Sequence, residues 1–255
     1  MRPALVLAYH GLGCYPRDLD PHNLMVDPER FRRQMLTLKR RGYSFVSLTD
    51  FAAYLDDGPP PEGVCALTFD DGTVDNVELL LPLLTELGLP TTIFVCPGLL
   101  GEEHFAMPRS AGVRLVNLDQ LMKLASSPLI EIGSHTNLHS DLSRASSEEA
   151  YQDLLSSKQE LERLLQRPVN TFAYPKCRYS PACPDAARRA GYLVAVTCGG
   201  LGGRARLELA RESIDSLDGR LGFALKSRRV FLPLRDSLPG KLARAAARPM
   251  RHRGG

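Results

Sequence analysis

The sequence predicts a parallel α/β fold, either a TIM-type barrel, a distorted relative of that barrel, or an open doubly wound sheet. Short apolar runs alternate with longer helical patterns over about the first 215 residues, and seven or eight such units suit a barrel. The runs are rich in Val, Ile, Leu and Phe with little polar alternation, as expected for strands that are covered on both faces. Polar motifs follow several different runs, and a barrel gathers the carboxyl ends of its strands around one axis. This placement favours the barrel.

Eight apolar runs are predicted as strands: 4–9, 44–48, 64–69, 91–96, 129–132, 171–174, 193–197 and 207–213. Helix signals lie between them. Asp27 followed by Pro28 predicts a helix start, and Gly42 predicts its end. Asn117 and Ser146 each begin a capping-box pattern, and the second of these helices ends before Pro168.

Composition and charge suggest two regions. Hydrophobic residues make up 44% and charged residues 24% of the chain, which is typical of a globular protein and argues against a disordered one. No apolar stretch approaches the roughly 20 residues that a transmembrane helix needs. The net charge of +3 conceals an asymmetry, because 219–255 holds ten Lys or Arg against one Asp. We therefore expect a barrel domain over 1–218 and a basic, partly disordered tail over 219–255.

The tail and the cysteines bear on partners and location. An arm that contacts an anionic membrane surface is the alternative to a solvated tail, and the lack of interleaved aromatic residues argues against nucleic acid. Cys177 and Cys183 are close enough in sequence to suggest a disulfide or a metal pair. The apolar run near the first residue is too short for an export signal. Reduced thiols and a cytoplasmic location, with peripheral contact at the inner membrane surface, are therefore expected.

Two adjacent carboxylates end one predicted strand, in the run Leu67-Thr68-Phe69-Asp70-Asp71-Gly72. Both cannot point into a sheet, so they belong at the strand tip, where they can face a shared site. If one carboxylate binds a metal ion, the other stays free to act as a base. Strand-end acids that only cap a helix are the alternative.

Two histidines follow another predicted strand. His135 and His139 are four residues apart, so a single helical turn would place both imidazoles on one side. With Asp71 they would form a two-histidine, one-carboxylate centre with positions open to water and substrate, which is typical of a catalytic metal site. Zn²⁺ at such a site would lower the pKa of a bound water, and Asp70 could accept the proton. An incidental histidine pair is the alternative.

A third motif, Phe172-Ala173-Tyr174-Pro175, ends a further strand. Thr-Phe-Asp-Asp-Gly, Ser-His-Thr-x-x-His and Phe-Ala-Tyr-Pro, in this order, resemble the motifs of the polysaccharide deacetylase (NodB-homology) family, carbohydrate esterase family four. The resemblance extends from about Ala4 to Ser213. It implies a distorted (β/α)7 barrel and metal-dependent hydrolysis of an N-acetyl group from an amino sugar.

The resemblance also implies a role for each matching position. Asp70 matches the general base. The positions that match the ligands of a divalent ion, with Zn²⁺ expected first and other divalent transition metals as alternatives, are Asp71, His135 and His139. Substrate and oxyanion contacts, among them a backbone N–H at Lys176, are assigned to Tyr174, Pro175, Lys176 and Arg211.

The sequence departs from the family's pattern at several positions. Ala173 stands where many members carry an arginine that orients the base, and Arg211 is the candidate replacement. The tryptophan of the fourth motif is missing. The only histidine after His139 is His252, which lies in the basic tail and is a poor candidate for the usual C-terminal general acid. A Tyr-His pair at 9–10 resembles a subset, similar to the poly-N-acetylglucosamine deacetylases, whose N-terminal strand replaces the last one. This likeness implies His10 as the general acid.

The expected substrate is therefore an N-acetylated sugar, glycan or cytoplasmic glycan precursor. The altered loop after Pro175 leaves hydrolysis of an N-formyl group or a cyclic amide as the alternative. A non-haem iron oxygenase also uses two histidines and one carboxylate, but Asp70 would be superfluous there. An inactive binding module is disfavoured because the base and all three ligands are present. His22 and His104 lie in predicted rim loops, and the sequence indicates no partner for either.

Overall fold

Ten strands and seven helices are present in the residues that the computed structural model describes, 2–198 and 205–228. The strands are β1 (Leu5–Tyr9), β2 (Gly11–Leu12), β3 (Met25–Val26), β4 (Ser44–Val46), β5 (Val64–Phe69), β6 (Thr91–Val95), β7 (Ile130–Ser134), β8 (Thr171–Ala173), β9 (Val194–Cys198) and β10 (Leu209–Ser213). The helices are α1 (Pro28–Arg40), α2 (Leu48–Asp57), α3 (Leu81–Leu87), α4 (Leu118–Ala125), α5 (Ser147–Leu165), α6 (Cys183–Arg189) and α7 (Arg220–Lys226).

Seven parallel strands form a closed barrel in the order β1, β10, β9, β8, β7, β6, β5. Strand β1 closes it, because it pairs with β5 from Leu5↔Cys65 to Tyr9↔Phe69 and with β10 on its other side. Strand β4 lies outside the ring, beside the first half of β5. The predicted distorted (β/α)7 barrel is thus confirmed, and the open doubly wound sheet is excluded.

The barrel interior is filled by side chains and covered at one end by a helix. Residues from six strands form one apolar cluster with three residues of α2: Val6, Val64, Ala66, Phe94, Ala173, Val194, Val196 and Leu209 with Leu48, Phe51 and Ala52. Several of these strand residues are the first of their strands, so α2 covers the N-terminal end of the barrel. The opposite, C-terminal end is left for polar side chains.

A second apolar layer lies between the barrel and the helices around it. Alternation along β1 separates the two layers, because Val6 belongs to the interior cluster whereas Leu5 and Leu7 belong to the outer one. The helix starts follow the predicted signals. The Asp27 side chain accepts from Arg30 N at the start of α1, and α4 and α5 both begin with complete capping boxes.

The packed body continues past the predicted boundary at 218. Helix α7 buries Phe223, and Lys226 Nζ donates to Asp218 Oδ2 at 2.6 Å. The Tyr43 hydroxyl donates to the Ser227 carbonyl at 3.2 Å, which ties the end of α7 to the turn after α1. The rest of the predicted tail, 229–255, lies outside the described residues. Among the described helices, none is long and apolar enough to cross a membrane.

The element boundaries differ from the predicted ones where capping decides them. The run 44–48 is a strand only to Val46, because the Ser47 side chain accepts from Asp50 N and starts α2. The run 207–213 becomes a strand only at Leu209, after a 3-10 turn. Strands β2 and β3 were not predicted, and with two residues each they carry too little pattern to be recognised.

Candidate metal centre and active site

Three candidate ligands converge at the C-terminal end of the barrel. Asp71 follows β5, and His135 and His139 follow β7. Asp71 Oδ1 lies 3.5 Å from His135 Nε2 and 3.7 Å from His139 Nε2, and one ligand atom of each residue lies within 4.8 Å of the others. Asp71 Oδ1 is buried without a hydrogen bond from any described residue. A divalent ion among the three would satisfy this oxygen, so the donors present fit a metal centre.

The surroundings of both histidines suit binding of a metal ion. His135 Nδ1 lies 2.7 Å from the carbonyl oxygen of Ala173. A carbonyl can only accept, so Nδ1 carries a proton, and Nε2, which faces Asp71, is the nitrogen left to bind a metal ion. Burial, and after it the neighbouring His135, lower the pKa of His139 to about 3. His139 is therefore neutral at physiological pH.

Asp70 forms a buried ion pair with Arg211. Arg211 Nη1 and Nη2 donate to Asp70 Oδ1 and Oδ2, both at 2.7 Å, and Nη1 also donates to Thr68 Oγ1 at 3.0 Å. Arg211 is 0% exposed. Burial alone would raise the pKa of Asp70, but the charge and hydrogen bonds of Arg211, together with the nearby His135 and His10, outweigh it and hold that pKa below its usual value. Asp70 is therefore an oriented, ionised carboxylate at neutral pH.

The structure thus corrects one assignment of Arg211 and favours the other. A wholly buried guanidinium is not accessible to a substrate. The assignment of Arg211 as a substrate or oxyanion contact is therefore wrong. Its contacts are those of an arginine that orients Asp70, in place of the one missing at Ala173. Ala173 instead contributes its backbone carbonyl to His135.

His10 lies beside the carboxylates because of the register between β1 and β5. Tyr9 pairs with Phe69, so the residues that follow them, His10 and Asp70, come level at the barrel end. Asp70 N donates to the Tyr9 carbonyl at 2.9 Å. His10 is half-buried and interacts electrostatically with Asp70 and Asp71. The barrel therefore brings the predicted acid next to the predicted base.

His104 is a site residue for which the sequence indicated no partner. Its Nε2 lies 3.0 Å from Asp71 Oδ2, and Ala106 N donates to its Nδ1 at 3.1 Å. Because Nδ1 accepts, Nε2 carries the proton and donates to Asp71. Burial raises the pKa of Asp71, but this hydrogen bond and the nearby histidines hold it well below the usual value. One carboxylate oxygen is thus fixed by His104, and the other faces the ligand histidines.

The third motif divides into a buried part and an exposed part. Tyr174 is 0% exposed, and its hydroxyl donates to the Leu207 carbonyl at 2.9 Å. A substrate contact by the Tyr174 side chain is therefore wrong, and Pro175 is buried beside it. Lys176 is exposed, and its backbone N–H makes no hydrogen bond to a backbone acceptor in the described part of the chain. It lies close enough to His139 to influence its charge state.

The loop after Pro175 is tied to the barrel by a disulfide. Cys177 is bonded to Cys198, the last residue of β9, with their Cα atoms 5.5 Å apart. Cys183 is free and buried in α6, so a pairing of Cys177 with Cys183 is wrong. The expectation of reduced thiols is also wrong for this pair. Disulfides are rare in cytoplasmic proteins, so this bond does not favour the predicted cytoplasmic location, which stays a prediction.

Left-handed backbone is concentrated around the site. Five non-glycine residues there have positive φ: Asp71 (71°), Thr136 (62°), His139 (55°), Lys176 (54°) and Cys177 (53°). Such conformations cost of order 1–3 kcal/mol each and persist where the surroundings over-determine them. The predicted helical turn between His135 and His139 is therefore wrong, because the chain bends there through left-handed residues.

The closed parallel barrel carries its polar groups at the strand ends, and two of them are carboxylates with separate partners. These features define a barrel protein with a candidate site for one metal ion. The class can be narrowed to a family. The model of the polysaccharide deacetylase family matches residues 57–195, more than half of the sequence. The chain belongs to this family, whose members are hydrolases.

Individual relatives agree with this assignment. The poly-beta-1,6-N-acetyl-D-glucosamine N-deacetylase of Staphylococcus aureus is 28% identical over 161 residues, 60% of this chain and 54% of that protein. The Bacillus subtilis protein YxkH is 26% identical over 193 residues, 75% of this chain and 63% of that protein. The chain thus spans 54–63% of the length of these curated relatives.

Solved structures agree over nearly the whole described chain. The Streptococcus pyogenes deacetylase PplD in complex with acetate is 25% identical, with a TM-score of 0.73 over 88% of this chain and 97% of that one. IcaB from Ammonifex degensii is 20% identical, with a TM-score of 0.75 over 89% of this chain and 96% of that one. The likeness to IcaB shows the shared fold.

Proposed function

We propose that this protein is a metal-dependent hydrolase that removes N-acetyl groups from an amino-sugar glycan. The observation that carries the proposal is the pairing of two adjacent carboxylates with different partners. Asp71 faces His135 and His139, whereas Asp70 is held by Arg211. A site that needed only a metal would have no use for an oriented second carboxylate, which is why an iron oxygenase fits less well.

Asp71, His135 and His139 would hold the ion, for which Zn²⁺ is our first choice. A divalent ion supplies Lewis acidity there: it lowers the pKa of a water and polarises an amide carbonyl. Asp70 accepts the proton of the attacking water. The lowered pKa of Asp70 keeps this carboxylate ionised at neutral pH and therefore able to accept a proton.

The remaining groups suit the other requirements of amide hydrolysis. His10, level with Asp70, protonates the departing amine. The N–H of Lys176 is a candidate donor to the developing oxyanion. Phe105 is 41% exposed, and its ring stacks on His139 with centroids 3.9 Å apart. Leu138, which precedes His139 in the sequence, is 59% exposed. These two side chains offer an apolar surface for an acetyl methyl group or a sugar face.

The substrate class follows from the relative named as a poly-beta-1,6-N-acetyl-D-glucosamine N-deacetylase. We propose an N-acetylated glycan or glycan precursor. Contact of the basic tail with an anionic membrane at the inner surface stays a separate proposal, because 229–255 lies outside the described residues.

Acetate release from N-acetylglucosamine oligomers by zinc-loaded protein tests the function. We expect Asp70→Asn to keep its zinc and to lose turnover, and His139→Ala to lose zinc. Exposed Asp119→Asn is the matched control and should behave as the wild type. Full activity of Asp70→Asn would refute the assignment of Asp70 as the general base. Release of formate from N-formyl substrates, or opening of cyclic imides, in place of acetate release would establish the alternative hydrolase, and oxygen uptake would establish the oxygenase.

The acid is tested separately with His10→Gln. General acid catalysis typically contributes roughly 10²–10⁴-fold, so we expect kcat to fall by that order while zinc content is unchanged. His22, which is exposed, gives the control His22→Gln. An unchanged kcat in His10→Gln would assign protonation of the amine to another group.

A further inference from the structure

A second polar surface lies on the flank of the barrel, in a groove of about 800 Å³ between α1 and α7. None of the residues placed at the metal centre lines it. Five arginines do, and we call this surface the arginine groove: Arg30, Arg33, Arg40, Arg41 and Arg220.

The positive charge of the arginine groove is poorly balanced. Arg33 Nη2 lies 3.8 Å from Asp27 Oδ1, and within 2–198 and 205–228 the other four arginines make no ion pair with a carboxylate. Asp218 also lines the groove, but its Oδ2 accepts from Lys226 Nζ at 2.6 Å. An anion in the groove would therefore meet guanidinium groups that are not already neutralised.

The arginines form a stripe along one face of α1. Arg30, Arg33 and Arg40 are spaced so that they recur on the same side of the helix. The opposite side is used differently: Arg32 pairs with Glu86, and Lys39 donates to the Leu87 carbonyl. At a rise of about 1.5 Å per residue, the stripe from Arg30 to Arg41 is roughly 16 Å long. This is longer than one phosphate group requires.

A buried amide lies within the same surface. Gln34 is 5% exposed and lines the groove, and its Oε1 accepts from the Tyr9 hydroxyl at 2.9 Å. Its Nε2 has no hydrogen-bond partner among the described residues. A buried donor without a partner is unfavourable, and this unpaired N–H group lies on a residue in the wall of the groove.

We propose that the arginine groove binds an anion with two or more phosphate groups. A guanidinium group can donate two parallel hydrogen bonds to the oxygens of one phosphate group. Several arginines along one stripe therefore suit a ligand with several phosphate groups better than a ligand with a single carboxylate. A free diphosphate and the phosphodiester headgroups of an anionic membrane offer the same chemistry. The experiment therefore has one arm for each source.

The first arm is calorimetric titration of the full-length, zinc-loaded protein with inorganic pyrophosphate. The groove variant carries Arg33→Gln, Arg40→Gln and Arg220→Gln, all at exposed positions. The control variant removes the same charge elsewhere, through Arg32→Gln, Arg163→Gln and Arg188→Gln. Any binding of pyrophosphate at the metal centre, and any to the tail, is common to both variants. We expect the groove variant to bind at least about tenfold more weakly than the control.

The second arm is co-sedimentation with phosphatidylglycerol vesicles and, for comparison, with phosphatidylcholine vesicles. A selective loss in the groove variant with either probe supports the proposal, and the probe concerned identifies the source. Equal losses in the groove and control variants would show only general surface charge and would overturn it. Failure of the wild-type protein to bind either probe would also overturn the proposal. Unchanged acetate release in both variants keeps this result separate from the proposed function.

Discussion

The ion pair between Asp70 and Arg211 gives the most demanding test of the site. In Arg211→Met, Asp70 keeps its buried position, 4% exposed, but loses both 2.7 Å hydrogen bonds. Removing one partner of a buried pair typically costs about 3–5 kcal/mol, because the remaining charge is uncompensated. In a domain of this size, 1 kcal/mol corresponds to roughly 2–4 °C, so Tm should fall by roughly 6–20 °C.

The same substitution should change the pH dependence. The folded-state pKa of Asp70 is depressed, so the pair adds stability above the unfolded pKa, and that contribution is lost as pH falls through the folded value. Without Arg211 the carboxylate protonates at higher pH. We therefore expect the acid limb of kcat/KM in Arg211→Met to move to higher pH, a change that a merely unstable protein would not show.

Denaturant unfolding and a pH–rate profile check both expectations. The double variant Asp70→Asn/Arg211→Met should be more stable than Arg211→Met alone, because the unpaired charge is gone. Arg188→Met, at an exposed position, should stay within about 0.5 kcal/mol of the wild type. The reasoning is refuted if Arg211→Met unfolds like this control and keeps its acid limb.

Three further expectations follow from the site and its surroundings. His104→Ala should weaken zinc binding about 10–100-fold against a competing chelator, whereas His104→Gln, which keeps a donor, should weaken it less; equal losses would deny the role of the hydrogen bond. Thiol titration of the unreduced, denatured protein should find four free thiols, and six after reduction, if Cys177 and Cys198 are joined; six at both steps would contradict the disulfide. Burial raises the pKa of Asp75 to about 6, so its charge destabilises the fold as pH rises above the unfolded value. Asp75→Asn should therefore gain up to about 3 kcal/mol relative to the wild type between pH 4 and pH 8, and parallel pH profiles would show that the carboxylate titrates normally.

The barrel could be predicted because its strands are buried on both faces and therefore read as uninterrupted apolar runs. The run 64–69 coincides with β5 for this reason. The C-terminal boundary could not be predicted in the same way. Charge counting places the region from 219 onwards outside the barrel, but Phe223 packs against the outer layer of the core. A single apolar side chain in a short helix does not alter the charge count.

The site could be predicted where its residues follow strand ends in the sequence, and less well where they come from distant segments. Asp70, His135 and His10 each follow a strand directly, so the parallel topology alone brings them together. His104 comes from a long loop, and its contact with Asp71 has no pattern in the sequence. Arg211 did carry a signal. An arginine within a strand that the barrel buries needs a buried partner of opposite charge, and Asp70 is that partner.

The candidate metal centre is held by contacts that do not depend on an ion. The Ala173 carbonyl orients His135, and His104 orients Asp71. These contacts come from β8 and from the loop after β6, so separate parts of the fold orient His135 and Asp71. A site that is shaped in advance loses little conformational freedom when an ion binds, which strengthens binding. Arg211 balances only the charge of Asp70, so an ion bound at this centre would find its ligands already oriented and the charge of Asp71 not balanced by an arginine.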